Sequence, residues 1–153
     1  MANSYTQIHL HCLFAVKFRK AMIAEQWKQE LHKYITGIIQ NHEHKMISIN
    51  SMPDHLHMLF GMRPHQSLSD LMRIVKGDSS EWINKRKLTH SLFRWQGGFG
   101  GFSYEKSSIS RVAAYIENQQ LHHRKISFAE EYQNLLKQFE IEYDDQYIFT
   151  PLE

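Results

Sequence analysis

A chain of 153 residues with 42% hydrophobic and 22% charged residues has the composition of one folded domain, not of a disordered segment. Its formal net charge of +2 hides an asymmetry: residues 1–128 hold 17 Lys/Arg against 9 Asp/Glu, a balance of +8, and residues 129–153 hold Lys137 against 7 acids, a balance of −6. No apolar run approaches a membrane span, the N-terminus lacks the layout of a secretory signal, and the single Cys12 excludes an internal disulfide. A cytoplasmic protein without membrane association is expected. The basic body suits a polyanionic partner such as nucleic acid, and equally a solvated surface with a self-neutralising tail.

In chain order, Tyr5 to Val16 reads as a strand, because Ile8, Leu10, Cys12, Phe14 and Val16 alternate with Gln7, His9, His11 and Leu13. Met22 to His42 reads as a helix, with Ile23, Trp27, Leu31, Tyr34, Ile35 and Ile38 at three- and four-residue steps. Met46 to Asn50 is a short strand, and Ser51 to Asp54 a turn with Pro53 and Asp54 supplying its chemistry. A second strand completes a hairpin. Ser67 caps the next helix, whose stripe is Leu68, Leu71, Met72, Val75 and Trp82. Leu92 to Tyr104 is aromatic, extended and interrupted by Gly97-Gly98 and Gly100-Gly101. Ser108 or Ser110 can cap a helix running to about His123, and a last helix spans roughly Phe128 to Phe139 before an irregular acidic tail.

The order β-α-β-β-α-β followed by helices predicts an α+β, ferredoxin-like fold: a split βαβ with a four-stranded antiparallel sheet, two helices on one face and the other face free. Residues 1–125 are expected to carry the catalytic part, and residues 126–153, a C-terminal helix and acidic tail, belong to the same domain.

The stretch "PDHLHMLF" (53–60) carries the chemistry. On a strand, His55, His57 and Leu59 share one face and Leu56, Met58 and Phe60 the other. The apolar trio faces a core, which leaves two imidazoles side by side. Alone such a pair says little, since eleven histidines make chance pairs common. In "RVAAYIENQQLHH" (111–123), Tyr115 and Gln119 are four apart and stack on one helical face. A carboxamide oxygen with two imidazoles suits Mg²⁺ or Mn²⁺, and a tyrosine one turn away is a candidate nucleophile. Taken singly, Tyr115 reads as a half-buried helix aromatic and Gln119 as a solvated polar residue.

Together these motifs resemble those of the single-tyrosine HUH (His-hydrophobic-His) transposases of small bacterial insertion sequences and their REP-associated relatives. "MPDHLHMLF" is similar to the family's HUH strand and "YIENQ" to its Tyr-x-x-x-Gln helix. "HCLFAVKFRK" (11–20), "LSDLMRIVKGDSS" (68–80) and "FRWQGGFGGFSYEKSSISRVAAYIENQ" (93–119) resemble its opening strand, second helix and Trp-containing stretch. The resemblance covers nearly all of residues 5–125.

It implies a homodimeric, metal-dependent endonuclease and strand transferase acting on single-stranded DNA with hairpin-forming ends, without a nucleotide cofactor. By matching position His55, His57 and Gln119 are the metal ligands and Tyr115 the nucleophile, forming a 5′-phosphotyrosine link. His11 matches a family histidine on the neighbouring strand and stays outside the metal set.

Lys17, Arg19, Lys20, Arg73 and Lys76 are the foremost candidates to neutralise DNA phosphates, with Arg63, Lys85, Arg86 and Lys87 behind them; Phe18 can stack on bases, whereas Trp95 and Phe102 read as core. The glycine-rich "GGFGG" (97–101) is not a phosphate loop, since no Gly-Lys-Ser/Thr follows. The chain after Gln119 matches nothing clearly. Three other readings remain at this level: a domesticated nickase acting on DNA repeats, a ferredoxin-like nucleic-acid-binding module without catalysis, and a histidine-rich metal-binding protein. The second would carry aromatic residues, not His9, His11, His55 and His57, on the exposed sheet face, and the third would not need Tyr115 and Gln119 on a shared helical face.

Overall fold

The computed structural model of the chain describes residues 3–144. Four strands, β1 (His9–Ala15), β2 (Lys45–Met52), β3 (His55–Gly61) and β4 (Gly100–Ser103), form one sheet in the order β2-β3-β1-β4, with every neighbouring pair antiparallel. Helices α1 (Lys28–Asn41) and α2 (Leu68–Lys85) are the two crossovers, and α3 (Ile109–Glu117), α4 (Gln119–His122) and α5 (Phe128–Gln138) follow the last strand. This is the expected α+β, split-βαβ arrangement. None of these helices is long and apolar enough to cross a membrane.

The period-2 pattern of the strands decides what each face meets. Cys12, Phe14, Leu56, Met58 and Phe60 pack against Leu31, Ile35, Ile38 and Ile39 of α1 and Leu71, Met72, Val75 and Ile83 of α2. Each such buried side chain contributes about 1.5–3 kcal/mol relative to exposure, so this layer holds most of the fold's hydrophobic stabilisation. Trp95 joins it, edge-on to Phe14 with ring centroids 4.7 Å apart.

The opposite face is not free, contrary to the expectation. Leu13, Ala15 and Phe102 are covered by Phe128, Leu135 and Leu136 of α5, and Leu59 by Val112 and Ile116 of α3. The reason is visible in β1: "CLFAV" is apolar at consecutive positions, as in strands buried on both sides, so a bare second face would leave Leu13 and Ala15 in water. The segment after residue 125 is therefore packed on the sheet.

Several boundaries differ from the sequence expectation. α1 starts at Lys28, not Met22, and its N-cap Trp27 offers no side-chain acceptor. The residues before it are tied elsewhere: the N–H groups of Met22 and Ile23 both donate to the Pro53 carbonyl, at 2.9 and 3.0 Å. Ser67 caps α2 as expected, accepting from the Asp70 N–H at 3.1 Å. Neither Ser108 nor Ser110 is seen to cap α3; Ser108 sits at the N-cap without a side-chain bond. The helix expected to reach His123 breaks at Asn118 into α3 and α4. Only Gly100–Ser103 of the long extended segment joins the sheet as β4, and Trp95 makes a separate bridge to Val16. Gly100 is required by close approach, since a Cβ there would lie 3.0 Å from the Tyr132 ring of α5. Of the acidic tail, residues 145–153 lie outside the described residues.

Candidate active site

The site begins at the two-residue Pro53–Asp54 turn between β2 and β3, where Met52 pairs with His55. Because His55 and His57 are two residues apart on β3, both enter the layer between the sheet and the C-terminal helices, 1% and 0% exposed. Each ring is held from behind. His55 Nδ1 lies 2.6 Å from the Asp54 carboxylate, and its ring stacks on Phe128 with centroids 4.3 Å apart. His57 Nδ1 lies 2.8 Å from Nε2 of His11, one strand away. His11 thus orients His57 and takes no place among the inward-facing donors.

Helices α3 and α4 bring Tyr115 and Gln119 to the same place. Asn50, opposite His57 on β2, donates from its side-chain amide to the carbonyls of Ile116 and Glu117 at 2.9 and 3.3 Å. Those carbonyls lie where the helix ends and would otherwise lack intrahelical partners, so the bonds pin that end to the histidine strand. The Tyr115 ring lies edge-on to His57, centroids 6.1 Å apart, within the same chain. Gln119 is fully buried, its Oε1 3.4 Å from His55 Nε2.

Two residues that sequence reasoning did not single out stand at the centre. Glu131, in the first turn of α5, is 1% exposed, and its Oε1 lies 2.9 Å from both His57 Nε2 and His123 Nε2 and 3.7 Å from His55 Nε2. Its Oε2 accepts from the Tyr115 hydroxyl and from the Gln119 amide at 3.1 Å, with His122 Nε2 3.3 Å away. "QQLHH" directly after Gln119 was the available signal for His123. Glu131 had none, because acids in a first helical turn are ordinary complements to the helix dipole, and Glu130 beside it is exposed.

The electrostatics follow from burial. Desolvation holds the His57 imidazole below its usual range and drives His11 down to about 3. Burial would raise Glu131, but hydrogen bonds with His123, His57 and Tyr115 outweigh it and keep the carboxyl ionised. Burial, then the charge of Glu131, push the Tyr115 phenol well above its ordinary value. His55, His57, His123 and Glu131 bring one donor atom each to within 4.8 Å of one another, a set compatible with a divalent metal. Beside Tyr115 a cavity of about 270 Å³ opens between α3 and α5, lined among others by Arg111, His122 and Asn134.

The basic residues lie apart from this cluster. Lys17, Arg19 and Lys20 follow β1, with the two lysine ammonium groups 5.4 and 5.9 Å from the Phe18 ring centroid. Arg73 and Lys76 sit on α2, over the other face of the sheet. Arg73 is exposed, 3.8 Å from Asp70. Lys76 donates to the carbonyls of Gln96 and Gly98, both at 2.7 Å, and thereby positions the glycine-rich loop.

Comparison with known proteins agrees with this architecture. The ISDra2 transposase TnpA of Deinococcus radiodurans is 25% identical over 120 residues, 74% of this chain and 84% of that protein. The crystal structure of a candidate transposase from Deinococcus radiodurans superposes with a TM-score of 0.61 at 19% identity, covering 78% of this chain and 96% of that one. A REP-associated tyrosine transposase bound to a REP hairpin superposes with a TM-score of 0.60 at 13% identity, covering 80% and 73%. Residues 4–119, from before β1 to Gln119, match the family model of IS200-like transposases, and the chain belongs to that family.

Proposed function

We propose that the protein nicks and rejoins single-stranded DNA at hairpin-forming ends, with Tyr115 as the nucleophile. The observation that carries the reading is the convergence of half-buried Tyr115 with buried Gln119, His55 and His57 in one cluster within one chain. Tyr115 attacks a backbone phosphorus, the P–O3′ bond breaks, and a 5′-phosphotyrosine link forms while the 3′ oxygen leaves as a hydroxyl. The phenolic proton already has an acceptor in Glu131 Oε2. Rejoining reverses these steps, so the bond energy stays in the covalent link and no nucleotide is consumed.

His55 and His57 would hold a divalent cation, Mg²⁺ or Mn²⁺, with the Gln119 carbonyl oxygen alongside; when bound it supplies positive charge to a scissile phosphate and to an ionising phenol. Arg111, one helical turn before Tyr115 and lining the adjacent cavity, is placed to meet a neighbouring phosphate. Lys17, Arg19, Lys20 and Arg73 extend the basic surface for the rest of the strand. Lys76 contributes by holding the Gln96–Gly98 loop. Each chain carries both histidines and the tyrosine, so a homodimer would hold two complete sites. Such a protein works on DNA in the bacterial cytoplasm.

The test is to incubate the protein with single-stranded hairpin oligonucleotides and Mn²⁺ or Mg²⁺ and to run the products on a denaturing gel. A covalent protein–DNA adduct is expected, and Tyr115→Phe should retain DNA binding but form none. An adduct that persists in that variant and maps to Tyr104 or Tyr132 would overturn the assignment.

A further inference from the structure

We infer that the metal centre is completed by the C-terminal segment: His123 and Glu131 coordinate the ion together with His55 and His57. The inference rests on the reading of His55 and His57 as metal ligands and adds two residues beyond Gln119, where the family match ends.

The argument is one of lone pairs. A metal-binding histidine commonly turns one ring nitrogen to the ion and donates from the other to a carboxylate or a carbonyl. Two of the three rings here, His55 and His123, are held in that manner. His55 Nδ1 faces the Asp54 carboxylate at 2.6 Å and His123 Nδ1 the Ile126 carbonyl at 3.0 Å. Both partners only accept, so both Nδ1 atoms carry the hydrogen. In the neutral rings Nε2 is then a bare acceptor. His57 Nδ1 is engaged by His11 at 2.8 Å.

The three Nε2 atoms nevertheless converge on one carboxylate oxygen, Glu131 Oε1, at 2.9, 2.9 and 3.7 Å. The bare Nε2 atoms of His55 and His123 facing a buried carboxylate repel it unless positive charge lies between them. Glu131 and the two β3 histidines are at most 1% exposed, so that charge has to come from within the layer. A single divalent ion satisfies all four donors.

Three imidazole nitrogens and one carboxylate form a borderline donor set, suited to Mn²⁺, Co²⁺ or Zn²⁺ and poorly suited to Mg²⁺, which prefers oxygen. Gln119, whose carbonyl oxygen lies 3.4 Å from His55 Nε2, also acts as a positioning residue through its amide. Its amide donates to Glu131 Oε2 at 3.1 Å and holds the carboxylate so that Oε1 faces the imidazoles. The ion would also tie α5 to β3, coupling metal loading to the docking of the C-terminal helix.

Calorimetric titration of the full chain with Mn²⁺ and Mg²⁺, without DNA, and the visible absorption of the Co²⁺ form test this directly. Mn²⁺ should bind more tightly than Mg²⁺. Glu131→Gln and His123→Ala should each weaken Mn²⁺ at least about tenfold, the scale on which even outer partners of a metal site act. Gln119→Ala should cost less than either, and the Co²⁺ spectrum should change for Glu131→Gln but hold its shape for Gln119→Ala. Hydrogen exchange across residues 128–138 should slow on adding Mn²⁺ to the wild type and not to His57→Ala.

Unchanged or tighter Mn²⁺ binding by Glu131→Gln, or a larger loss for Gln119→Ala, overturns the inference and leaves His55 and His57 as ligands. Loss of binding confined to the β3 histidine variants has the same meaning. Full binding by His57→Ala sinks the underlying reading as well. If Glu131→Gln does not fold by circular dichroism, His123→Ala and Glu131→Asp decide the question with the same titration.

Discussion

The two faces of the sheet are buried to similar depth by different means. Toward α1 and α2, β3 presents Leu56, Met58 and Phe60, and the layer is almost wholly apolar. Toward α3 and α5 the same strand presents His55 and His57, 1% and 0% exposed, among Glu131, Gln119 and Tyr115. Burial on the first face stabilises the chain through area removed from water. On the second it desolvates groups whose hydrogen bonds only partly compensate, and it shifts their proton affinities. One strand thus divides stability and chemistry between alternate residues.

The largest contrast concerns which chain supplies each half of the site. Tyr115 lies beside its own HUH strand, so mixing and re-assembling Tyr115→Phe protein with His57→Ala protein should leave DNA cleavage absent, because every site keeps one lesion. Recovery of cleavage after subunit exchange would show instead that the tyrosine serves a partner's histidines.

On the apolar face, Phe60→Ala should lower unfolding free energy by about 3–5 kcal/mol, the usual cost of truncating a fully buried aromatic. Chemical denaturation measures it. The fraction that remains folded should still bind metal, which would separate the two faces energetically.

Gly100→Ala sharpens the comparison from the other side. The new methyl would press on the Tyr132 ring, so α5 must shift at about 1–3 kcal/mol, the usual cost of overpacking. The effect on metal affinity should exceed that of an equally destabilising change on α1, because only α5 carries Glu131.

A further contrast is one of pH. His32 of α1 is buried against Ser51 at 2.8 Å, and desolvation lowers it from 6.5 to about 4. Its folded value lies below its unfolded one, so its contribution is fully present above about pH 6.5 and is lost as pH falls toward 4. The melting temperature should therefore fall with acidification across that window, and His32→Gln should flatten the slope. An unchanged slope would place the titrating groups on the other face.

How much of this was legible can be judged residue by residue. Strand periodicity separated His55 and His57 from Leu56, Met58 and Phe60, and helical spacing put Tyr115 and Gln119 on one face. The first is a local relation that chain geometry enforces whatever surrounds it, and the second holds although the helix breaks at Asn118. Trp95 and Phe102 were read as core and are 8% and 2% exposed. Ser67 was read as a cap and caps. The break at Asn118 was not legible, because its stabilising partner is Asn50, 66 residues away from Ile116. The second covered face was partly legible in the unbroken apolar run of β1, and the alternating reading passed over it.

By itself, then, the sequence determined the order of elements, the sidedness of the histidine strand and the pairing of tyrosine with glutamine. The sidedness follows from the two-residue repeat of one strand, and Tyr115 and Gln119 still meet at Glu131 although the helix breaks at Asn118 between them. Only the tertiary structure decided that His123 and Glu131 enter the cluster, that Asn50 anchors the tyrosine helix, and that Lys76 serves a loop. Glu131 meets His57 across 74 residues of chain. No periodicity encodes such a meeting; it arises because Leu13, Ala15 and Phe102 need a cover, and the helix that provides it carries a carboxylate in its first turn.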